Sequence, residues 1–209
     1  MRIYEGKYLS ATSIVELRDP FNDGSFKKWC GLKGLDSDLI ASTSRILGEK
    51  VSDIISNANN EISFLNPPPV DGLEERLFSA VENFLNVWEL VSTEKEVFCE
   101  ELNYAGRYDG IIRRKNSHEI VLADWKTFGA WSDKPYKRDS KKIKHTRWQL
   151  SLYAYALEWK GPIGVVIFKN DGTWELEKLT LDEDMIKWVR DNQDLILETV
   201  KDGENQRLF

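Results

Sequence analysis

Two aspartates and a lysine carry the clearest chemistry in this sequence: Asp109 in the stretch AGRYDGIIRR, and Asp124 with Lys126 in EIVLADWKT. Both stretches are short and rich in β-branched and aromatic residues, and the polar KNSH lies between them, so they read as two strands of a hairpin. With Asn116 and Ser117 as a two-residue turn, Lys115 pairs with His118. Stepping outward one residue at a time then sets Asp109 opposite Asp124. Directly opposed residues have Cβ atoms about 4.5–5.5 Å apart, and like charges placed so destabilise a sheet unless something positive sits between them. The strand period of two puts Lys126 on the same face as Asp124. Two carboxylates and an ammonium therefore converge. Oxygen-only ligands of this kind favour a hard cation, Mg²⁺ or Mn²⁺, whereas zinc sites recruit His or Cys. Such an ion can bind a phosphate oxygen, activate water and neutralise the charge that develops in an in-line displacement. Lys126 would orient or help deprotonate the attacking water, or steady the pentacovalent phosphorus. The sequence alone leaves these roles open.

The elements that must position this trio follow from hydrophobic period. Trp148 to Trp159 reads as a helix with Gln149, Leu152, Tyr153 and Ala156 on one side, ended by Gly161 and Pro162. VFCEEL, at Val97 to Leu102, reads as a further strand before the hairpin. Ile163 to Lys169 and Thr173 to Leu179 flank Asn170, Asp171 and Gly172 as another hairpin. Leu181 to Val200 predicts a last amphipathic helix followed by a frayed tail. Upstream, Ser13 to Leu17 and Asp38 to Ile55 read as helical, the second with Ser42 or Thr43 as caps. The three prolines of NPPPVDG, at Asn66 to Gly72, interrupt with an extended connection. Leu73 to Leu90 then carries Leu77, Val81, Phe84, Leu85 and Trp88 on one stripe. The order predicts an α/β architecture: a mixed sheet with helices on its faces.

The net charge of -6 argues against a nucleic-acid partner as an average, since phosphate binding needs clustered Lys and Arg. The distribution restores it. KPYKRDSKKIKHTR, directly after the carboxylate motif, holds Lys134, Lys137, Arg138, Lys141, Lys142, Lys144 and Arg147 against the single Asp139, and reads as a basic loop. The acids Glu94, Glu96, Glu100 and Glu101 supply part of the negative total, with Glu96 a solvated strand end that could add an outer carboxylate. Most of the eight tryptophans read as core, and Trp131, beside the basic run, is a candidate for base stacking. Cys30 and Cys99 lie far apart and read as buried small hydrophobes. They exclude a zinc ribbon, an iron–sulfur cluster and a disulfide framework. No window approaches the ~18 consecutive apolar residues of a membrane span, and the N-terminal MRIYEGKYLS has no apolar leader, so an intracellular location is expected.

GRYDGII, LADWKTF and QLSLYAY, in this order on strand, strand and helix, resemble the RecB-like branch of the PD-(D/E)XK nucleases, with its GxxD, DxK and QxxxY motifs. Tyr104, Gly106 and Asp109, followed by Asp124, Trp125, Lys126 and Thr127, are similar to the YxGxxD and DWKT of the mitochondrial genome-maintenance exonuclease family and its viral and bacterial relatives. More weakly, YLSATSIVEL, at Tyr8 to Leu17, resembles the opening serine–threonine turn of that family. ILGEKVSDII resembles its helix with a glycine and, four residues on, a histidine; here Gly48 is followed by Ser52. The resemblance implies a restriction-endonuclease-like fold in a single domain over 1–209, with 1–72 as helical elaboration and 73–209 as core. It implies that Asp109, Asp124 and the backbone carbonyl of Trp125 hold Mg²⁺ or Mn²⁺, that Lys126 is the catalytic lysine, and that Gln149 and Tyr153 position the site and the DNA backbone. The histidine is an auxiliary ligand in the family, so Ser52 leaves the trio as a one-metal core.

What the resemblance implies is a metal-dependent DNA exonuclease acting on single-stranded DNA or DNA ends in replication, recombination or repair. Lys141, Lys142, Lys144, Arg147, Tyr153 and Trp131 would contact the strand, and the segments before Asn66 and from Gly129 to Arg147 could form an arch that admits it. The competing readings are a nucleic-acid-binding protein with a decayed site, motivated by Ser52, and a structure-specific or restriction-type endonuclease. The related iron–sulfur adaptation nucleases of CRISPR systems are excluded by the two cysteines.

Overall fold

The apolar stretches around the two aspartates form the centre of a seven-stranded mixed sheet. The protein is seen in a computed structural model that describes residues 2–19, 28, 31–32, 34, 36–58, 72–128 and 140–205. In chain order the elements are β1 (Ile3–Tyr4), β2 (Tyr8–Ser10), α1 (Ala11–Arg18), α2 (Ser37–Ala58), α3 (Gly72–Val87), β3 (Trp88–Cys99), β4 (Tyr104–Arg114) and β5 (Ile120–Phe128). They continue with α4 (Ser140–Ala156), β6 (Ile163–Lys169), β7 (Trp174–Leu179), α5 (Glu183–Asp191) and α6 (Gln193–Asn205). The sheet runs β1-β2-β4-β5-β6-β7, with β3 on the other edge of β4. β2 is parallel to β4 and β5 to β6, and the remaining pairs are antiparallel. This is the expected mixed sheet flanked by helices.

Alternation along β5 decides what each face carries. Leu122 packs with Ile14, Leu150, Leu152, Met185 and Ile196, from α1, α4, α5 and α6. Val121, Ala123 and Trp125 pack with Leu47, Val51 and Ile55 of α2 and Leu77, Val81 and Phe84 of α3. The predicted stripe of α3 is thus buried, and Phe84 meets Trp125, Phe168 and Trp174 edge-on at 6.1, 5.6 and 5.3 Å between ring centroids.

β4 is shared between two strands along one edge. β2 pairs with Tyr104 and Ala105, and β5 pairs with Gly110 to Arg113. Both lie on the edge opposite β3, which runs the length of β4. Residues 106–109 are therefore without a strand partner on that edge among the described residues.

Several boundaries differ from the sequence reading. α3 stops at Val87, and Trp88, Glu89 and Leu90 begin β3, because the ladder of β3 with β4 reaches back to Trp88↔Arg114. α4 begins at Ser140 rather than Trp148, so Lys141 to Arg147 lie on a helix and not in a loop. Asp36 caps α2, its Oδ1 accepting from the N–H groups of Asp38 and Leu39 at 2.9 and 3.1 Å. Ser42 and Thr43 are therefore interior. The last helix breaks at Asn192, whose N–H turns back to the carbonyl of Trp188, and the tail remains helical to Asn205. β1 and β2 were not anticipated; they are too short to show a period. Cys99 is buried as expected, while Cys30, residues 66–71 of the NPPPVDG segment and Trp131 lie outside the described residues, and Gly72 opens α3. Among the described residues no helix is long and apolar enough to cross a membrane.

Candidate active site

The β4–β5 register is the one the hairpin argument predicts: Gly110↔Ala123, Ile111↔Leu122, Ile112↔Val121 and Arg113↔Ile120. The turn is not. Arg114 N–H donates to the carbonyl of Glu119 at 2.9 Å and Ser117 N–H to that of Arg114 at 3.1 Å, which closes a loop over Lys115 to His118. Lys115 cannot pair with His118 because its N–H is taken by the carbonyl of Val87, at the end of α3, at 3.0 Å. The four-residue loop is centred on the same Asn116–Ser117 bond as the expected two-residue turn, so Asp109 and Asp124 still fall opposite each other.

At that point the ladder ends, and side chains take over. Trp125 N–H donates to Oδ2 of Asp109 at 2.8 Å. Asp124 is 1% exposed and forms an ion pair with the ammonium of Lys126, two residues on along β5. Its Oδ2 is shut off from solvent and makes no well-directed hydrogen bond, so that ion pair is what compensates it. Burial, then the neighbouring Asp124 charge, push the Asp109 carboxyl up to about 7, against the opposing pull of Lys126 and the Trp125 N–H. For Lys126 burial works against the charge, but the carboxylates of Asp124 and Asp109 outweigh it and hold the ammonium above the usual lysine range. Each group thus depends on the charge of the others.

Two glycines make room for this arrangement. A Cβ on Gly106 would stand 2.3 Å from Cε1 of Tyr153, and one on Gly110 would stand 2.5 Å from the Trp125 ring. Tyr153 can therefore approach the β4 backbone closely, with α4 anchored by the Tyr104 hydroxyl donating to the carbonyl of Leu152 at 2.8 Å. Gln149 donates from Nε2 to the Tyr153 hydroxyl at 2.7 Å and reaches Thr12 Oγ1 of α1 at 3.4 Å. Burial raises the Tyr153 phenol, with further upward push from Asp109 and Asp124, so it stays protonated beside them. Asp109, Asp124, Lys126, Gln149 and Tyr153 are thereby brought together.

The basic residues are placed differently. Lys141 and Lys144 pair with Asp19, at the end of α1, at 3.5 and 2.9 Å, and Lys144 lies over the Trp148 ring at 4.3 Å. Arg147 pairs with Asp182, which also accepts from Trp148 Nε1. Lys142 points back toward the site end of β5, its Nζ 3.5 Å from the carbonyl of Thr127.

The sequence reading missed Glu94. The pairs Thr93↔Gly110 and Lys95↔Tyr108 set Glu94 opposite Asp109, and its charge contributes to raising that carboxyl. Glu94 has a left-handed backbone, with φ of 52°, and is held by Ser52 Oγ at 2.9 Å and by Arg107 Nε at 2.8 Å. Ser52, at the position of the expected histidine, thus serves a carboxylate. Glu96 is a solvated strand residue.

The donor set fits a hard divalent cation: two facing carboxylates, one with a buried oxygen that among the described residues is compensated by an ammonium. Among the described residues no group of three or more His, Cys, Asp or Glu could hold a metal, so backbone, water or substrate oxygens would have to complete the shell.

No curated protein matches the sequence. Among solved structures, the crystal structure of SSO0001 is similar at 18% identity over 93% of this chain and 78% of that one, with a TM-score of 0.42. A protein named "Putative exonuclease", from Eubacterium rectale, is similar in fold at 11% identity over 99% of this chain and 88% of that one, with a TM-score of 0.52. A family model described as the PD-(D/E)XK nuclease superfamily matches residues 36–206, the span that holds both aspartates, the lysine, Gln149 and Tyr153, and the chain belongs to that superfamily.

Proposed function

We propose that this nuclease is a divalent-cation-dependent DNA exonuclease that hydrolyses phosphodiester bonds on single-stranded DNA or at DNA ends, in replication, recombination or repair. The observation that carries the reading is the meeting of Asp109, Asp124 and Lys126 where β4 and β5 part, beside a cavity floored by Gly106 and Asp109. Support for an exonuclease comes from the resemblance of the YxGxxD, DWKT and QxxxY pattern to the RecB-like, mitochondrial-exonuclease-like branch and from the name of the Eubacterium rectale protein.

In this reading Asp109, Asp124 and the Trp125 carbonyl hold Mg²⁺ or Mn²⁺. Bound there, such an ion supplies Lewis acidity toward a phosphate oxygen and a more acidic water. Lys126 would orient the attacking water, help deprotonate it, or offset charge on the phosphate; without the ion its two carboxylates hold the ammonium above the usual lysine range, and a divalent cation on those carboxylates would weaken that hold. Gln149 and Tyr153 position the site and the DNA backbone, as the family pattern implies. Lys142 supplies positive charge at the end of β5, with Lys141, Lys144, Arg147 and Trp131 as the outer DNA contacts.

The test is digestion of 5′- and 3′-labelled linear single- and double-stranded DNA, alongside covalently closed circles, with Mg²⁺ or Mn²⁺. Loss of linear DNA with circles spared is expected, and rapid nicking of circles would sink the exonuclease reading. A decayed binding protein is the alternative that Ser52 motivates. It requires that wild type and Asp124→Ala bind DNA equally and that neither cuts.

A further inference from the structure

The stretch of β4 that lacks a strand partner, residues 106–109, opens onto a cavity of about 600 Å³ walled by β2 and the start of α1, by α2 and by α4. That volume lies within the ~300–1,000 Å³ of clefts that seat small ligands. Asp109 stands in its wall. Ser10 and Thr12, from the start of α1, and Gln149, from α4, supply polar groups around it. Two guanidinium groups, Arg107 and Arg2, line the same cavity.

Arg107 is presented rather than consumed. Glu94 grips it through Nε at 2.8 Å, and Glu94 is itself held by Ser52. Among the described residues the two terminal nitrogens of Arg107 have no other partner, and its side chain is 46% exposed. A guanidinium held by Nε keeps a forked pair of donors for a phosphate. Arg2 lies over the Tyr4 ring at 4.6 Å from the centroid, which fixes its plane while leaving its edge open. Glu16 and Glu49 also line the cavity and deter a free anion. A phosphate is accepted there as part of a strand already seated at the carboxylates.

We infer that Arg107 and Arg2 bind a backbone phosphate of the substrate strand, and that the cavity seats the nucleotide adjoining the one that is cleaved. The inference rests on the proposed nuclease reading. It adds a contact that neither the basic run of α4 nor the carboxylate site supplies, and it explains why a carboxylate and a serine stand where only one arginine needs them.

The test is anisotropy with a fluorescein-labelled single-stranded oligonucleotide in Ca²⁺, with its integrity checked on a gel, across about 50 to about 300 mM KCl. Arg107→Ala is expected to lower the slope of log K against log salt by about 0.7, one phosphate on a single strand, and to weaken binding about tenfold. Arg2→Ala should behave alike. Arg107→Lys should recover the slope but not the full affinity, because lysine lacks the fork. Arg113→Ala, on the same strand but paired with Glu89, should change neither. Inorganic phosphate at the same ionic strength should not compete. If Arg107→Ala does not fold, Arg107→Gln is read in its place. An unchanged slope, an equal loss for Arg113→Ala, or competition by free phosphate overturns the inference while leaving a cleaving wild type as a nuclease. A wild type that neither binds nor cuts DNA overturns both.

Discussion

The N–H of Trp125 donates to a carboxylate oxygen of Asp109 at 2.8 Å, in the place where an antiparallel ladder would direct it to the carbonyl of Tyr108. The carboxylate is therefore a structural acceptor as well as a candidate cation ligand, and its orientation is fixed by the backbone of the neighbouring strand. Substitutions at the site consequently act on stability and on chemistry with separable signs.

Lys126→Met should both destabilise and inactivate. Asp124 is almost wholly buried, and removing its ammonium leaves an uncompensated carboxylate, at a cost of about 3 kcal/mol. Denaturant melts in EDTA should show that loss, and cleavage in Mg²⁺ should fall by about a thousandfold as the charge beside the phosphate disappears. Activity that survives with the stability loss alone would remove Lys126 from the chemistry.

Asp109→Asn should stabilise the cation-free protein at alkaline pH. The folded state raises this carboxyl from 3.8 to about 7, so the fold binds the proton more tightly than the unfolded chain does. Stability is then lost as pH rises between those values, and the ionised carboxylate is a burden above about 7. In EDTA the variant should melt higher than wild type at alkaline pH, and the gain should vanish at pH 4. Mg²⁺ should reverse the order by raising the wild-type midpoint only.

Gly106→Ala should cost about 1–3 kcal/mol, the range for overpacking, because its Cβ would stand 2.3 Å from the Tyr153 ring. Combining it with Tyr153→Ala should relieve the clash, so the two changes together should cost less than their sum in a denaturation cycle.

Asp19→Asn should lower the melting temperature modestly at neutral pH. The hydrogen bond from Lys144, at 2.9 Å, and the His145 ring nitrogen 3.3 Å away hold the Asp19 carboxyl down at about 2, against an unfolded value of 3.8. That contribution is present above the unfolded value and is lost as pH falls through the folded one, so wild type and variant should converge near pH 2. A difference unchanged across the range would show that Asp19 acts through shape alone.

The parts of the site that could be read in the sequence are those set by local geometry. The facing of Asp109 and Asp124 depends only on where one hairpin loop is centred, and the observed four-residue loop shares its centre, between Asn116 and Ser117, with the expected two-residue turn. Gln149 and Tyr153 lie one helical turn apart, and their shared face is a matter of period. Glu94 and Arg107 depend instead on how β3 and β4 align across an irregular connection and a register shift between Leu90 and Ser92, which no period encodes. The partners of the basic residues were equally hidden. Lys144 meets Asp19, and Arg147 meets Asp182, only because α1 and α5 pack on α4. Trp88 was drawn into the helix reading by the stripe of α3, and the β3–β4 ladder overrode it.

The two aspartates are fifteen residues apart on one hairpin, so they meet in the same event that pairs β4 with β5. That event closes a short loop and belongs among the fast local steps of folding, before α4 can deliver Gln149 and Tyr153 from the far side of the chain. The repulsion between the carboxylates is thus met during self-assembly, when only Lys126 is at hand to offset it. Were a divalent cation bound there as proposed, it would screen that repulsion while the strands pair, and so would act on folding as well as on chemistry.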